Sequence, residues 1–131
     1  MRKKLTAYIF KFSLFIIILT TNISYLPTQI VSASEANDSK LVSKISKDYT
    51  KKFCNSVGFG LSKDSAMRFS FSENKQIFKN RKGIEKIEKE LLAQAIANSV
   101  IDSCGYQLDL YGDKDIEEFA NSYLSLDQES S

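Results

Sequence analysis

The sequence predicts a small all-α fold, a bundle or orthogonal array of three to four helices joined by one disulfide. Apolar residues recur at intervals of three and four along most of the chain, which is the period of an amphipathic helix. The one stretch that alternates apolar and polar residues, 68–72, has no second strand to pair with. The chain of 131 residues contains only two cysteines, Cys54 and Cys104.

Residues 1–33 follow the pattern of a signal peptide. Basic residues at 2–4 precede an apolar run over 12–19, and the small residues ending at Ala33 resemble a cleavage site. The alternative is an uncleaved N-terminal membrane anchor, but a spanning helix needs about 20 mostly apolar residues, more than this run contains. We therefore expect a secreted protein, in the periplasm or outside the cell, with a disordered lead-in at 34–39 after cleavage.

The charge and composition of the chain exclude several classes of protein. Without residues 1–33 the chain carries 14 basic and 16 acidic side chains, a net charge of −2, which argues against a strongly basic nucleic-acid-binding protein. The absence of histidine excludes Ser-His and Cys-His nucleophile pairs and His-bearing zinc sites. No carboxylate pair marks a recognisable cleft. We expect neither an enzyme nor a cofactor, and no small-molecule substrate is evident.

Acidic residues are dense between 109 and 118, which raises the question of a calcium site. A calcium-binding loop beginning at Asp113 would place Glu118 where the EF-hand pattern needs glycine. Compensation of a helix dipole by Asp113 and Asp115 explains the same residues. The sequence therefore predicts no metal site.

The first two helices follow from apolar spacing and from capping residues. Apolar residues keep the helical period over 40–57, and Gly58 stands where a left-handed residue would end the helix. After a short break, Ser62 or Asp64 would cap a second helix at 63–71.

The third predicted helix has the longest apolar face, which runs from Ile84 to Ser103 and stops at Gly105. A connector leads to a last helix of about 12 residues that is capped by Asp113. Residues 127–131 are expected to fray. One helical domain is therefore predicted over 40–126.

Cys54 and Cys104 lie near the ends of the first and third predicted helices. An even cysteine count in an exported chain favours a disulfide, whereas two separate buried thiols are the alternative. The cysteines do not form the C-x-x-C motif of thioredoxin-like proteins. Because a disulfide brings its Cα atoms within about 7 Å, the two helices should run roughly parallel or cross near those ends.

Four lysines follow the apolar spacing of the first predicted helix and define a lysine ridge, namely Lys40, Lys44, Lys47 and Lys51. Spacings of three and four place them along one side of the helix. The ridge would suit an anionic surface or an acidic protein partner. The alternative interpretation is a solvated face that only keeps the domain soluble.

Charge is divided unevenly along the sequence. Residues 40–89 carry 13 basic and 5 acidic side chains, whereas residues 90–131 carry 1 basic and 9 acidic side chains. This asymmetry could steer docking to a partner or support weak self-association. The alternative is that the acidic C-terminal helix folds back on the basic segment and satisfies both within one molecule.

An apolar loop follows the first predicted helix. Val57, Phe59 and Leu61 alternate there with Gly58 and Gly60, and we call the three apolar residues the docking loop. A second hypothesis is therefore an accessory factor of the cell envelope that assists assembly and docks a larger complex through this loop.

Two segments, 53–60 and 97–106, resemble parts of short exported proteins of marine cyanobacteria that have no assigned activity. The first reads Phe-Cys-Asn-Ser-Val-Gly-Phe-Gly and the second Ala-Asn-Ser-Val-Ile-Asp-Ser-Cys-Gly-Tyr. The resemblance covers about residues 50–112. The resemblance implies that the protein is located in the periplasm or the thylakoid lumen. In the lumen, the second hypothesis describes an assembly factor of that compartment. The resemblance assigns no catalytic role.

Overall fold

Four α-helices and two short 3-10 helices make up the computed structural model, which describes residues 33–130 and their side chains from residue 37 onward. In chain order the elements are α1 Ala33–Gly58, α2 Lys63–Phe78, a 3-10 helix Ile84–Lys86, α3 Lys89–Cys104, a second 3-10 helix Gly105–Leu108 and α4 Gly112–Glu129. The described residues contain no β-strand, and the all-α prediction is confirmed. Residues 1–32 of the predicted signal peptide lie outside the described residues.

Helix α1 begins at Ala33, seven residues earlier than predicted, and includes residues 34–39, which we expected to be a disordered lead-in. The sequence of its first two turns is rich in alanine and acidic residues, a composition typical of a helix N-terminus. The start of α1 also packs against a turn. A Cβ added at Gly83 would lie 3.8 Å from the side chain of Leu41 and 3.9 Å from that of Asp38.

Helix α1 ends in a Schellman motif. Two hydrogen bonds close it, from Gly60 N to the carbonyl oxygen of Val57 at 2.8 Å and from Leu61 N to that of Ser56 at 3.0 Å. Gly60 has a φ of 91° and is the left-handed residue. The prediction that Gly58 takes this role is wrong, because Gly58 is the last residue of the helix. Both glycines lack a Cβ and can adopt a left-handed conformation, so the sequence alone did not show which of them does so.

Helix α2 runs to Phe78, seven residues beyond its predicted end. The hydroxyl of Ser62 caps its N-terminus, as predicted, by accepting a hydrogen bond from the amide of Ser65 at 3.3 Å. Burial explains the longer helix, because Phe71, Asn74 and Phe78 follow the helical period and all are buried.

Helix α3 begins at Lys89 rather than near Ile84. The preceding residues form the 3-10 helix Ile84–Lys86, which follows a left-handed Gly83 with a φ of 92°, and Ile87 is extended. The prediction of one continuous helix from Ile84 is therefore wrong at its start. Apolar residues three apart suit a 3-10 turn as well as an α-helix, so the spacing did not distinguish the two.

Helix α4 begins at Gly112, and its N-terminus uses a different carboxylate from the predicted one. Asp115, rather than Asp113, accepts a hydrogen bond from the amide of Tyr111. Asp113 is exposed in the first turn, where its charge complements the helix dipole.

The C-terminus of α4 is held in place as far as Glu129. Residues 127–129, which we expected to fray, are part of the helix. Asp127 forms ion pairs with Lys75 of α2 and Lys89 of α3, and these contacts fix the last turn of the helix.

Helices α1 and α3 run in the same direction, as the cysteine positions predict. The hydroxyl of Thr50 donates to that of Ser99 at 2.9 Å, and about one turn later along both helices Cys54 is bonded to Cys104. Helix α2 returns antiparallel to α1 after the short loop, and α4 returns antiparallel to α3. The described helices therefore have a disulfide end, where α1 and α3 finish, and an opposite end.

Five aromatic side chains form the centre of the core, namely Tyr49, Phe53, Phe71, Phe119 and Tyr123. Most of the ring pairs are edge-to-face, with centroid distances such as 5.2 Å for Phe53 and Phe119 and 5.4 Å for Tyr49 and Tyr123. They come from α1, α2 and α4, so this cluster joins three of the described helices.

Gly105 marks a close backbone approach directly after α3. A Cβ at this position would lie 2.8 Å from the carbonyl oxygen of Leu110 and 3.3 Å from Cγ2 of Ile101. Its φ of −55° is ordinary for any residue, so glycine is required here for space and not for conformation. The amide of Leu110 donates to the carbonyl oxygen of Gly105 at 3.0 Å and closes the turn.

Candidate functional site

The disulfide predicted between Cys54 and Cys104 is present. The sulfur atoms are 2.02 Å apart and the Cα atoms 5.8 Å apart. Cys104 is buried and Cys54 is half-buried, and neither is left as a free thiol. The cysteines therefore join α1 to α3, and they supply no nucleophile or metal ligand.

The lysine ridge lies on the outward face of α1. Its four lysines, Lys40, Lys44, Lys47 and Lys51, are all exposed, whereas Tyr49 and Phe53 on the opposite face are fully buried. The structure thus brings the ridge together as one stripe. Among the described residues, none of the four lysines forms an ion pair with a carboxylate.

A shallow polar depression of about 270 Å³ extends the ridge toward α3. It is lined by Lys47, Thr50, Lys51, Cys54, Asn55, Ser99 and Ser103. Two ridge lysines therefore stand beside hydroxyl and amide groups next to the disulfide, and an anion held by those lysines would have hydrogen-bond donors within reach.

The acidic helix α4 folds back on the basic helix α2, as the second interpretation of the charge pattern expects. Three ion pairs join them, Lys63–Glu118 at 3.5 Å, Arg68–Glu129 at 3.2 Å and Lys75–Asp127 at 3.9 Å. Hydrogen bonds to Asp64 and Glu129 raise the pKa of Arg68. The carboxylates of α4 thus neutralise basic side chains of α2, and among the described residues they form no ion pair with the lysine ridge. Weak self-association stays a prediction.

The docking loop is divided between the interior and the surface. Val57 packs against the core. Phe59 is 87% exposed and Leu61 is 40% exposed, and both project from the turn that Gly60 makes. Phe59 therefore presents a nearly bare aromatic ring to solvent at the disulfide end.

Two buried tyrosines stand out in the core. Among the described residues, the hydroxyl of Tyr49 and that of Ser70 are buried without a hydrogen-bond partner. Burial, with a smaller contribution from Tyr123, raises the pKa of Tyr49. Burial and the nearby charge of Asp127 raise the pKa of Tyr123. Both phenols are held in the neutral form, and neither is placed to act as a base.

An apolar groove of about 340 Å³, which was not predicted from the sequence, lies at the end opposite the disulfide. Its apolar wall is made by Ile45, Phe71, Phe78, Ile84, Ile87, Leu92, Tyr123 and Leu124. Its polar groups are Asn74, Lys75, Lys79, Glu85, Lys89 and Asp127. We call this feature the apolar groove. The available signal was the pair Ile84 and Ile87, which lies between two lysine-rich stretches and which we assigned to a helix face.

The described residues contain no helix long and apolar enough to cross a bilayer and no cluster of three or more side chains that could ligate a metal ion. Searches with the chain find no matching protein-family model, curated protein or solved structure.

Proposed function

We propose that this is an exported binding protein that attaches to an anionic membrane surface through the lysine ridge. The observation that carries the proposal is that the four ridge lysines stand in one exposed stripe without carboxylate partners among the described residues. The basic residues of α2, in contrast, are largely neutralised by α4. Export is supported by the leader pattern at 1–33 and by the disulfide, a bond typical of oxidising compartments.

The size and shape of the ridge fit a flat partner. Lys40 and Lys51 are eleven residues apart on one helix, which corresponds to about 16 Å at 1.5 Å per residue. Each lysine near an anionic bilayer contributes about 1 kcal/mol, so four acting together give a measurable but salt-sensitive attraction. Because the ridge faces away from the aromatic core, binding requires no rearrangement of the fold.

Cosedimentation with vesicles tests this proposal. The protein should pellet with phosphatidylcholine vesicles that contain phosphatidylglycerol, and it should stay in the supernatant with phosphatidylcholine alone. Lys44→Glu combined with Lys47→Glu should abolish pelleting, because two attractive charges become repulsive.

The matched control is Lys82→Glu combined with Lys86→Glu, which changes the net charge equally at exposed positions that are not part of the ridge. The control variant should still pellet. Equal loss in both variants, or no binding by the original protein, would show that the ridge is not the contact surface.

A second candidate function, docking of an assembly factor onto a larger complex, is supported by the exposure of Phe59. An exposed aromatic side chain on a glycine-containing turn is suited to insert into a pocket on a partner protein.

Copurification tests this second function. A complex recovered in this way should survive high salt and should be lost in the variant Phe59→Ser. Phe69→Ser is the control, since Phe69 is 48% exposed on α2, away from the loop. Recovery that high salt abolishes would favour the ridge instead.

A further inference from the structure

We propose that the apolar groove is a binding site for an aliphatic carboxylate, a molecule with one hydrocarbon chain and one anionic head. Its volume of about 340 Å³ is within the range of small-molecule sites. The groove lies at the opposite end from the disulfide, and the proposal does not depend on the lysine ridge.

Several residues of the apolar wall lie outside the main core cluster, although Phe71 and Tyr123 belong to it. Ile45 and Phe78 are almost fully buried, yet they lie outside the contiguous cluster around the aromatic residues. Ile84 and Ile87 are only half-buried and belong to the irregular segment between α2 and α3. The fold therefore leaves an apolar surface of several side chains facing a common space, which a hydrocarbon chain would cover.

The position of that irregular segment is fixed from outside the groove. Gly83 turns the chain with a φ of 92° and lies against Leu41 and Asp38 at the start of α1. Directly after this contact, Ile84 and Ile87 line the groove together with Phe78 and Leu92. The two isoleucines line the same groove from a segment in which the 3-10 helix Ile84–Lys86 is followed by the extended residue Ile87.

The polar edge of the groove favours an anionic head group. Three lysines, Lys75, Lys79 and Lys89, stand there with two carboxylates, Glu85 and Asp127. Asp127 already pairs with Lys75 and Lys89. Lys79 contacts only the amide oxygen of Gln76 at 2.8 Å, and no carboxylate of the described residues pairs with it.

Lys79 is therefore the cation available to the head group of a ligand. A charged hydrogen bond from its ammonium to a carboxylate would orient the molecule with the chain directed inward. A neutral alcohol of the same length would keep the apolar contact and lose this bond, so the site should distinguish the two.

The experiment is an NMR titration of isoleucine and leucine methyl groups with decanoate, below the concentration at which decanoate forms micelles. Methyl signals of Ile45, Ile84, Ile87, Leu92 and Leu124 should shift. Signals of Leu108 and Leu110, which lie near the disulfide end, should not. Octanoate, decanoate and dodecanoate should bind with increasing affinity, by about fourfold for each added methylene.

Two variants test the assignment of the head group and of the chain. Lys79→Gln should weaken decanoate about tenfold and leave decanol unchanged, whereas the matched control Lys82→Gln should change neither. Ile87→Asn should weaken both ligands, because it puts an amide into the apolar wall.

Three outcomes would overturn the proposal. The first is that no groove methyl shifts with any chain length. The second is equal affinity for decanoate and decanol in the original protein. The third is that the groove methyls shift with protein concentration in the absence of ligand, which would identify a second copy of the chain as the occupant.

Discussion

The two ends of the described helices are held together by different kinds of contact. At the disulfide end a covalent bond joins Cys54 to Cys104, and the rings of Phe53 and Phe119 pack at 5.2 Å. At the groove end the rings of Phe71 and Tyr123 pack at 5.3 Å and polar contacts add to them: the amide of Asn74 joins α2 to α1, and the carboxylate of Asp127 joins α4 to α2 and α3.

One domain thus combines a fixed end with an adaptable end. A disulfide and a close-packed aromatic core leave little freedom, whereas hydrogen bonds and exposed ion pairs can exchange with water or with a ligand. The apolar groove lies at the end that can adapt. Stability should therefore be distributed unevenly between the two ends.

Removing the disulfide should produce the largest effect. Cys54→Ala combined with Cys104→Ala frees a loop whose ends are 50 residues apart, and the chain-entropy model gives a loss of about 4 kcal/mol in the free energy of unfolding. Urea denaturation of the variant and of the original protein measures this loss. A difference below about 1 kcal/mol would mean that the aromatic core alone fixes this end.

Alkaline pH should be the next strongest perturbation. The folded state keeps Tyr49 and Tyr123 protonated with raised pKa values, whereas the unfolded chain ionises them near pH 10. Their contribution is complete below about pH 10, and above it each should remove about 1.4 kcal/mol of stability per pH unit until the raised pKa is reached. Denaturation curves between neutral and alkaline pH provide the measurement. Tyr49→Phe and Tyr123→Phe should each remove roughly half of the slope, and an unchanged slope in either would contradict this account.

Asn74→Ala tests the polar contact at the groove end. Asn74 is 3% exposed, and its amide donates to the carbonyl oxygen of Ile45 at 3.1 Å and to Asp48 at 2.9 Å. Losing both bonds should lower the free energy of unfolding by about 2 kcal/mol. Asn98→Ala is the control, because the exposed Asn98 bonds only within its own helix, and it should change stability little. Equal losses in the two variants would indicate a general effect of removing an amide.

The smallest expected effect is a gain. Tyr49→Phe removes a buried hydroxyl that has no hydrogen-bond partner among the described residues, and it keeps the ring contacts with Phe53 and Phe119. Stability at neutral pH should rise by about 1 kcal/mol. Thermal denaturation at neutral pH measures it. A loss instead of a gain would mean that the hydroxyl has a partner in solution.

The disulfide end was predictable from the sequence for a physical reason. A bond between two cysteines near helix ends brings those ends together, so Cys54 and Cys104 predicted that α1 and α3 run roughly parallel or cross near the bond, and the first of these arrangements is observed. The capping role of Ser62 was equally local, because it depends only on the amides of the next turn.

The groove end was not predictable by the same means. The spacing of Ile84 and Ile87 fits an α-helix, and only the packing of Gly83 against α1 makes that segment a 3-10 turn followed by an extended residue. Similarly, the helical state of 127–129 depends on ion pairs between Asp127 and lysines far away in sequence. The sequence predicted the lysine ridge as a stripe. That the acidic helix α4 does not pair with it could be seen only from the path of α4 in the fold.

The tight turn at Gly105 has a consequence for how the domain is assembled. Because Gly105 has a hydrogen atom where other residues carry a Cβ, the chain can reverse direction within a few residues of the disulfide. The amide of Leu110 closes this turn. Helix α4 therefore runs back along α3, and the ring of Phe119 makes edge-to-face contacts with the rings of Tyr49 and Phe53. The absence of a Cβ at Gly105 thus permits the turn that directs α4 into its place in the core.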